Sequence, residues 1–199
     1  MKTKNSELME NAKASLSGKW GLAIGVNLLY ILISGGVQSI NVIGWIVWLV
    51  IGGPFLYGIQ LFMLNLSRNE DAHLAQLFQG FSIFEKNLKL YVLMTFKVLL
   101  WCLLLIIPGI IKAISYSQAF FLFIDDNSLN AKDALELSEQ MMEGNKMRYF
   151  LLGLRLLGLA LLCILTLGIG FLWFMPYAQM VFVKFYEDIK LSKTEEYCI

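Results

Sequence analysis

Charge is scarce in this 199-residue sequence: only 16% of its residues are Asp, Glu, Lys or Arg, where a soluble domain carries about a quarter. Neither sign dominates. A net charge of +1 provides no basic patch to displace counterions from phosphates, so nucleic acid is excluded as a partner. Cysteine is equally sparse. Cys102 and Cys163 fall in apolar runs and Cys198 lies beside the terminus, with no CxxC spacing. That excludes a disulfide framework, and the first two read as small buried hydrophobes. The single histidine, His73, sits in the polar stretch "NEDAHLAQ" and reads as a surface residue. There is no HExxH, no GxSxG, no phosphate-binding lysine loop and no His/Cys cluster at ligand spacing, so neither an enzyme, a metal nor a cofactor is expected. Paired carboxylates are missing from the apolar runs, which argues against an aspartyl intramembrane protease or a carboxylate proton relay. Between Lys2 and Lys19 both signs of charge mix, and no short apolar core with a small-residue cleavage site follows. The first apolar run is therefore expected to stay in the mature protein.

Apolar residues are abundant instead. The chain is 58% hydrophobic with a mean hydropathy of +0.65, more than one small soluble core can hide, so lipid is the expected solvent. From Trp20 to Ser67 there is no charge at all, enough for two crossings of about 20 residues each. A second block runs from Leu88 to Ile124 and a third from Tyr149 to Tyr186. The breaks fall at "SGGVQSIN" (Ser34–Asn41), at Pro108-Gly109, where proline opens a new helix, and at "TLGIG" (Thr166–Gly170). The expected fold is all-α: a polytopic membrane protein forming a single integral membrane domain over 1–199. Six transmembrane helices, about 20–38, 42–64, 88–107, 109–124, 149–167 and 170–186, pair into three hairpins.

The three hairpin turns carry no charge, and all fifteen Asp and Glu lie in the termini or in 68–89 and 125–148. Lys13, Lys19, Arg68, Lys86, Lys89, Lys146, Arg148, Lys184 and Lys190 mark one face, and positive charge marks the cytoplasmic side. Both termini are expected there. Each hairpin is preceded by a short amphipathic segment whose apolar residues share a helical face. These are Leu8, Ala12 and Leu16; then Leu74, Leu77, Phe78, Phe81 and Phe84; then Ala131, Ala134, Leu135, Met141 and Met142. The third segment puts Lys132, Asp133, Glu136, Glu139, Gln140 and Glu143 on its opposite face, with Asn130 or Asp133 to cap its start and Gly144 its end. Glu136, Glu139 and Glu143 are its candidate partner-binding residues. The hairpin exits echo one another: "YSQAFFLFIDD" aligns with "YAQMVFVKFYED", and "PFLYGIQ" with "PYAQ". Such a repeat is parallel, unlike the inverted repeats of many carriers.

Three cations interrupt the spans: Lys97, Lys112 and Arg155. Lys97 lies about 15 Å along its helix from Pro108, near the bilayer centre; Lys112 lies about 6 Å from the outer turn and Arg155 about 9 Å from its cytoplasmic end. No Asp or Glu falls within any span, so no acidic partner is expected at that depth. A central Lys or Arg costs about 2.5–3.5 kcal/mol to insert and is therefore turned inward or paired. Lys112 and Arg155 are shallow enough to snorkel. Lys97 either bonds helix carbonyls or polar neighbours (Thr95, Ser115, Ser117, Gln118, Asn27) as structural glue, or joins Lys112 around a cavity for an anionic group. The helix start at Pro108-Gly109 favours an anion as well. Lys97, Lys112, Ser115, Tyr116 and Gln118 are the candidate ligand-binding residues. Asp125-Asp126 reads as a hydrated loop start.

The stretches "GGPFLYG", "LFQGF", "IIPGIIKAISYSQA", "DALELSEQMMEGNK", "GIGFLWFMPY" and "FYEDI" span nearly the whole chain in order. In them the chain resembles the bacterial integral membrane proteins grouped as domain of unknown function 975. The resemblance implies a multi-pass protein of the bacterial cytoplasmic membrane with no established activity. Lys112 matches the family pattern, whereas Arg155 stands where a small polar residue is usual. Two functions are compatible with these observations. One is a binder or carrier of an anionic amphiphile, a lipid or peptide, through the intramembrane cations. The other is a non-enzymatic scaffold or accessory subunit docking a partner through its cytoplasmic amphipathic helices. Membrane lipids are expected partners, with another membrane protein or a second copy of the chain as further possibilities.

Overall fold

The computed structural model describes residues 3–197. Among them are nine α-helices and one 3-10 helix: α1 (Asn5–Leu16), α2 (Trp20–Gln38), α3 (Asn41–Ser67), the 3-10 helix Leu74–Ile83, α4 (Phe84–Leu104), α5 (Ile106–Ser115), α6 (Ala119–Asp125), α7 (Ala131–Met141), α8 (Lys146–Leu165) and α9 (Phe171–Tyr197). Five segments are long and apolar enough to cross a membrane: Trp20–Gln38, Val42–Ser67, Leu74–Leu104, Ile106–Asp125 and Lys146–Leu165. The expected sixth, within α9, shares its helix with Lys184, Glu187 and Asp188 and is not among them.

The elements fall into three units of like order: α1, α2, α3; then the 3-10 helix, α4, α5 and α6; then α7, α8, α9. Each unit rests on the one before it. The 3-10 helix and α4 pack on α3, α7 packs on α6 and α5, α8 packs on α5, and α1 and α2 close the ring on α9. The last helices of the units meet inside, α3 against both α6 and α9. The three units thus pack in a closed ring. Glycines permit the closest approach. A Cβ on Gly58 would stand 2.1 Å from the Leu77 carbonyl oxygen, and one on Gly80 would stand 2.0 Å from that of Pro54. Gly53 likewise faces Asn87 and Tyr91. The stretches "GGPFLYG" and "LFQGF" are therefore the two sides of one contact.

Local chemistry sets the ends. The Asn130 side chain accepts from the amides of Lys132 and Asp133, both at 3.0 Å, and satisfies the first free N–H groups of α7. Gly144, at φ +71°, follows its last turn, where glycine tolerates the left-handed region. The turn before α9 is closed by Thr166 Oγ1, which accepts from the Gly170 amide at 2.9 Å.

Several boundaries differ from expectation. The helix expected to run to 107 ends at Leu104, and α5 begins at Ile106 after a single extended residue, Leu105 (φ −160°). Pro108 falls in the first turn of α5, where its missing N–H costs no helical bond. Gly109 lets that turn close on Cys102, whose Sγ would lie 2.2 Å from a Cβ. The span expected over 109–124 is two helices, broken at Tyr116–Gln118. In the 3-10 helix the buried residues are Gln76, Leu77 and Gly80, whereas Leu74, Phe78 and Phe81 are exposed; three residues per turn replace the assumed 3.6. In α7 Ser138 joins Ala134, Leu135 and Met141 on the buried face. Cys102 is exposed and Cys163 half-buried, both as free thiols, because their helices face outward. Cys198 lies outside the described residues.

Candidate functional site

The expected ligand-binding residues divide into two groups around the break at Tyr116–Gln118. Lys97 from α4 and Lys112 from α5 both stand over the Tyr116 ring, at 5.6 and 5.7 Å from its centroid, and Lys112 also stands 5.6 Å from the Trp101 ring. Two cations thus share one aromatic ring, an attraction that strengthens away from water. Lys112 is not unpaired. The Glu139 carboxylate of α7 accepts from its ammonium in a salt bridge. The expectation that no acid reaches this depth is overturned because α7 packs against α4, α5 and α6. One residue of its polar face is thereby turned inward. Lys97 has no carboxylate partner among the described residues; it meets Tyr116, not the serines, Gln118 or Asn27. Arg155 is exposed on α8 between exposed leucines.

Ser115 and Gln118 hold α7 in place. Ser138 Oγ donates to the Ser115 carbonyl at 2.7 Å and accepts from the Gln118 amide at 3.2 Å. Ser115 Oγ bonds back to the Ile111 carbonyl within α5. These residues dock the helix that brings Glu139 to Lys112. Of the other two acids proposed for a partner, Glu136 lies 4.0 Å from Lys132 one turn away, and both Glu136 and Glu143 are exposed.

Tyr116 also borders a crevice of about 380 Å³, with Gln60, Thr95, Leu99, Ser117 and Tyr149. An inner cavity of about 130 Å³ lies beyond and shares Gln60, Ser117 and Tyr149 with it; Gln179 and Phe121 line its far side. Ser117 Oγ accepts from Gln118 Nε2 at 2.7 Å and donates to the Ile114 carbonyl at 2.8 Å. The Oε1 atoms of Gln60 and Gln179 are buried with no hydrogen-bond partner. Sequence periodicity did not mark this interior. The available signal was the echo of glutamines at the hairpin exits.

A second polar cluster ties the inner helices together at the charged end. Arg68 grips Asp125 through two hydrogen bonds, at 2.8 and 3.0 Å, and reaches Glu187 at 3.6 Å. Tyr186 donates to Asp125 at 2.6 Å, and Lys190 pairs with the same carboxylate. The Asp125 carboxylate raises the pKa of Arg68 above its ordinary value. Asp125 is thus not the hydrated loop start expected, but the centre of a latch joining α3, α6 and α9. Its neighbour Asp126 does start the loop: the Ser128 hydroxyl and amide hold its carboxyl below the usual range.

No curated protein and no solved structure matches the chain. The family model described as "Protein of unknown function (DUF975)" matches residues 1–115 and 102–193. Together the two matches cover the ring of three units, the lysine corner and the latch, and the chain belongs to the DUF975 family.

Proposed function

We propose that this protein is a six-span protein of the bacterial cytoplasmic membrane, with both termini cytoplasmic, that binds an anionic amphiphile at the Lys97–Tyr116–Lys112 corner and performs no chemistry on it. The observation that carries this reading is the charge count at the corner: two lysines share one ring, and one carboxylate answers them. A surplus cation among apolar helices is stabilised by an anion drawn from its surroundings, and anionic lipid is the nearest source. The six-span topology is supported by uncharged hairpin turns and by the cations that flank the spans, which gather at the opposite end. The test is native mass spectrometry after incubation with equal amounts of phosphatidylglycerol and phosphatidylcholine. Wild type should retain phosphatidylglycerol preferentially and Lys97→Met should lose the preference; an unchanged preference in a folded Lys97→Met variant refutes the reading.

A second reading is favoured by a separate observation: Glu136 and Glu143 stay exposed on the outer face of α7. A basic protein surface docking there makes the protein an accessory subunit, with Glu139 excluded from the contact by its bond to Lys112. Charge reversal at Glu136 and Glu143 should then change the set of co-purified proteins, and an identical set excludes this role.

A further inference from the structure

The lysine corner leaves the crevice and inner cavity unexplained, and their chemistry differs from it. Neither is lined by a charged residue. The crevice reaches the unpacked surface at Leu99, which is 62% exposed, and its wall includes Val98 and Met94. The interior ends in polar groups of one kind. Ser117 is satisfied by Gln118 and the Ile114 carbonyl, while Gln60 and Gln179 each bury a carbonyl oxygen that no donor meets. Buried acceptors in native proteins are almost always partnered, and leaving one bare costs a full desolvation. The two orphans come from different units of the ring, at matching hairpin exits, and their residues line one cavity. About 380 Å³ of crevice is within the range of small-molecule sites, which are mostly apolar with a few convergent polar groups.

We propose that the crevice and inner cavity together bind one neutral amphiphile whose head group donates hydrogen bonds. Its chain lies along Leu99, Val98 and Met94, and its hydroxyl or N–H groups meet the Oε1 atoms of Gln60 and Gln179. A charged head is disfavoured because nothing in the lining compensates it and its dehydration would go unrepaid. Entry is lateral, from the lipid phase, since the Phe121–Tyr186 stack, with centroids 5.1 Å apart, and the Asp125 latch stand between the inner cavity and the charged end. This site is independent of the lysine corner, with Tyr116 as the wall between them.

The experiment compares three probes of equal chain length by native mass spectrometry of the detergent-solubilised protein: monoolein, which has hydroxyl donors; methyl oleate, which has none; and oleate, which is charged. Monoolein should bind about tenfold more tightly than methyl oleate, the value of one to two good hydrogen bonds. Gln60→Leu and Gln179→Leu should each abolish that advantage while raising the melting temperature, because each removes an orphaned acceptor. Leu99→Trp, at the exposed mouth, should block monoolein without touching the polar floor, and it keeps the test valid should a glutamine variant misfold. Lys97→Met should leave monoolein binding unchanged, so failure here and failure of the anionic site are separately visible. Equal binding of monoolein and methyl oleate, stronger binding of oleate that survives Lys97→Met, or retention of monoolein by Leu99→Trp would each overturn the proposal. A drop in melting temperature in both leucine variants would overturn it too, by showing that the amides hold the fold together through water.

Discussion

The two halves of α3 are made of the same kinds of residue and treated in opposite ways. Val42, Ile43, Trp45, Ile46, Val47, Leu49 and Val50 are exposed, whereas Phe55, Tyr57, Ile59, Phe62, Met63, Leu64 and Leu66 are buried. The boundary falls at Gly52-Gly53-Pro54. Beyond it the 3-10 helix, α6 and α9 close around α3; before it Trp48 meets Tyr30 of α2. The first half needs lipid, because its side chains have no protein to pack against, and tails as apolar as leucine provide no hydrophobic drive between helices. The second half has a protein interior, where each large apolar side chain contributes about 1.5–3 kcal/mol by burial. One helix therefore passes from a lipid-solvated region into a core, and the same division runs through α9. Hydropathy reports both halves identically.

This contrast can be broken most sharply at the glycines. Gly80→Ala places a methyl group 2.0 Å from the Pro54 carbonyl oxygen, and a backbone atom cannot step aside. The loss should exceed the about 1–3 kcal/mol of ordinary overpacking, and size-exclusion chromatography in mild detergent should show aggregate in place of a monodisperse peak. Leu157→Ala, on the exposed face of α8, should move the melting temperature by no more than the scatter of surface substitutions, within about 0.5 kcal/mol. If both variants behave alike, the packed half is not the seat of stability. Asp125→Ala comes next in size. It removes the shared carboxylate from Arg68, Tyr186 and Lys190, and charged hydrogen bonds of this kind are worth about 1.5–3 kcal/mol, read as a lower melting temperature. Tyr186→Phe, which deletes one of those bonds, should cost less.

Much of this division could be read ahead of the structure, and the part that could not has a physical reason. The apolar runs, the uncharged turns at Ser39–Ile40 and Thr166–Gly170, and the helical face of Leu8, Ala12 and Leu16 follow from local periodicity, which one chain segment carries by itself. The echo of the hairpin exits placed Gln60 and Gln179 at like positions, and both residues line one cavity. Glu139 was misplaced because periodicity says which residues share a face, not which neighbour will cover it; α7 turned part of its polar face onto Lys112. Asp125 was misread for the same reason, since its partners lie 57 and 65 positions away along the chain. The break at Tyr116–Gln118 contains neither glycine nor proline, so nothing in its composition announced it. The Gln60 and Gln179 interior needed α3, α6, α8 and α9 to come together before it existed at all.

A smaller effect is expected at the boundary between the halves, where Glu139 and Lys112 meet. Their side chains are 32% and 22% exposed, so solvent and head groups screen the pair and its value falls well below that of a fully buried bridge. Glu139→Gln and Lys112→Met should each lower the melting temperature modestly. The double variant should be less damaging than the sum of the two, because no lone charge remains, with a coupling of about 0.5–1.5 kcal/mol in a double-mutant cycle. Additive losses would mean that α7 is held by Ser138 and its apolar face alone.

The smallest predicted signal is an absence of reaction, and it locates the lipid-solvated half without any substitution inside it. Cys102 and Cys163 are exposed or half-exposed thiols, each one turn from an uncharged hairpin. In water such thiols would be open to a maleimide. A charged maleimide loses its hydration among acyl chains and does not dissolve in that layer, so it does not reach a thiol there. In a Cys198→Ser background reconstituted in vesicles, a charged maleimide should therefore add to neither cysteine, and both should become reactive once the protein is unfolded in detergent. Prompt labelling of Cys102 in the vesicle would put the α4–α5 turn in water. The exposed leucines and isoleucines around it, Leu103 to Ile107, would then be a protein-binding surface, and the division of α3 into a lipid half and a core half would have to be redrawn from that turn inward.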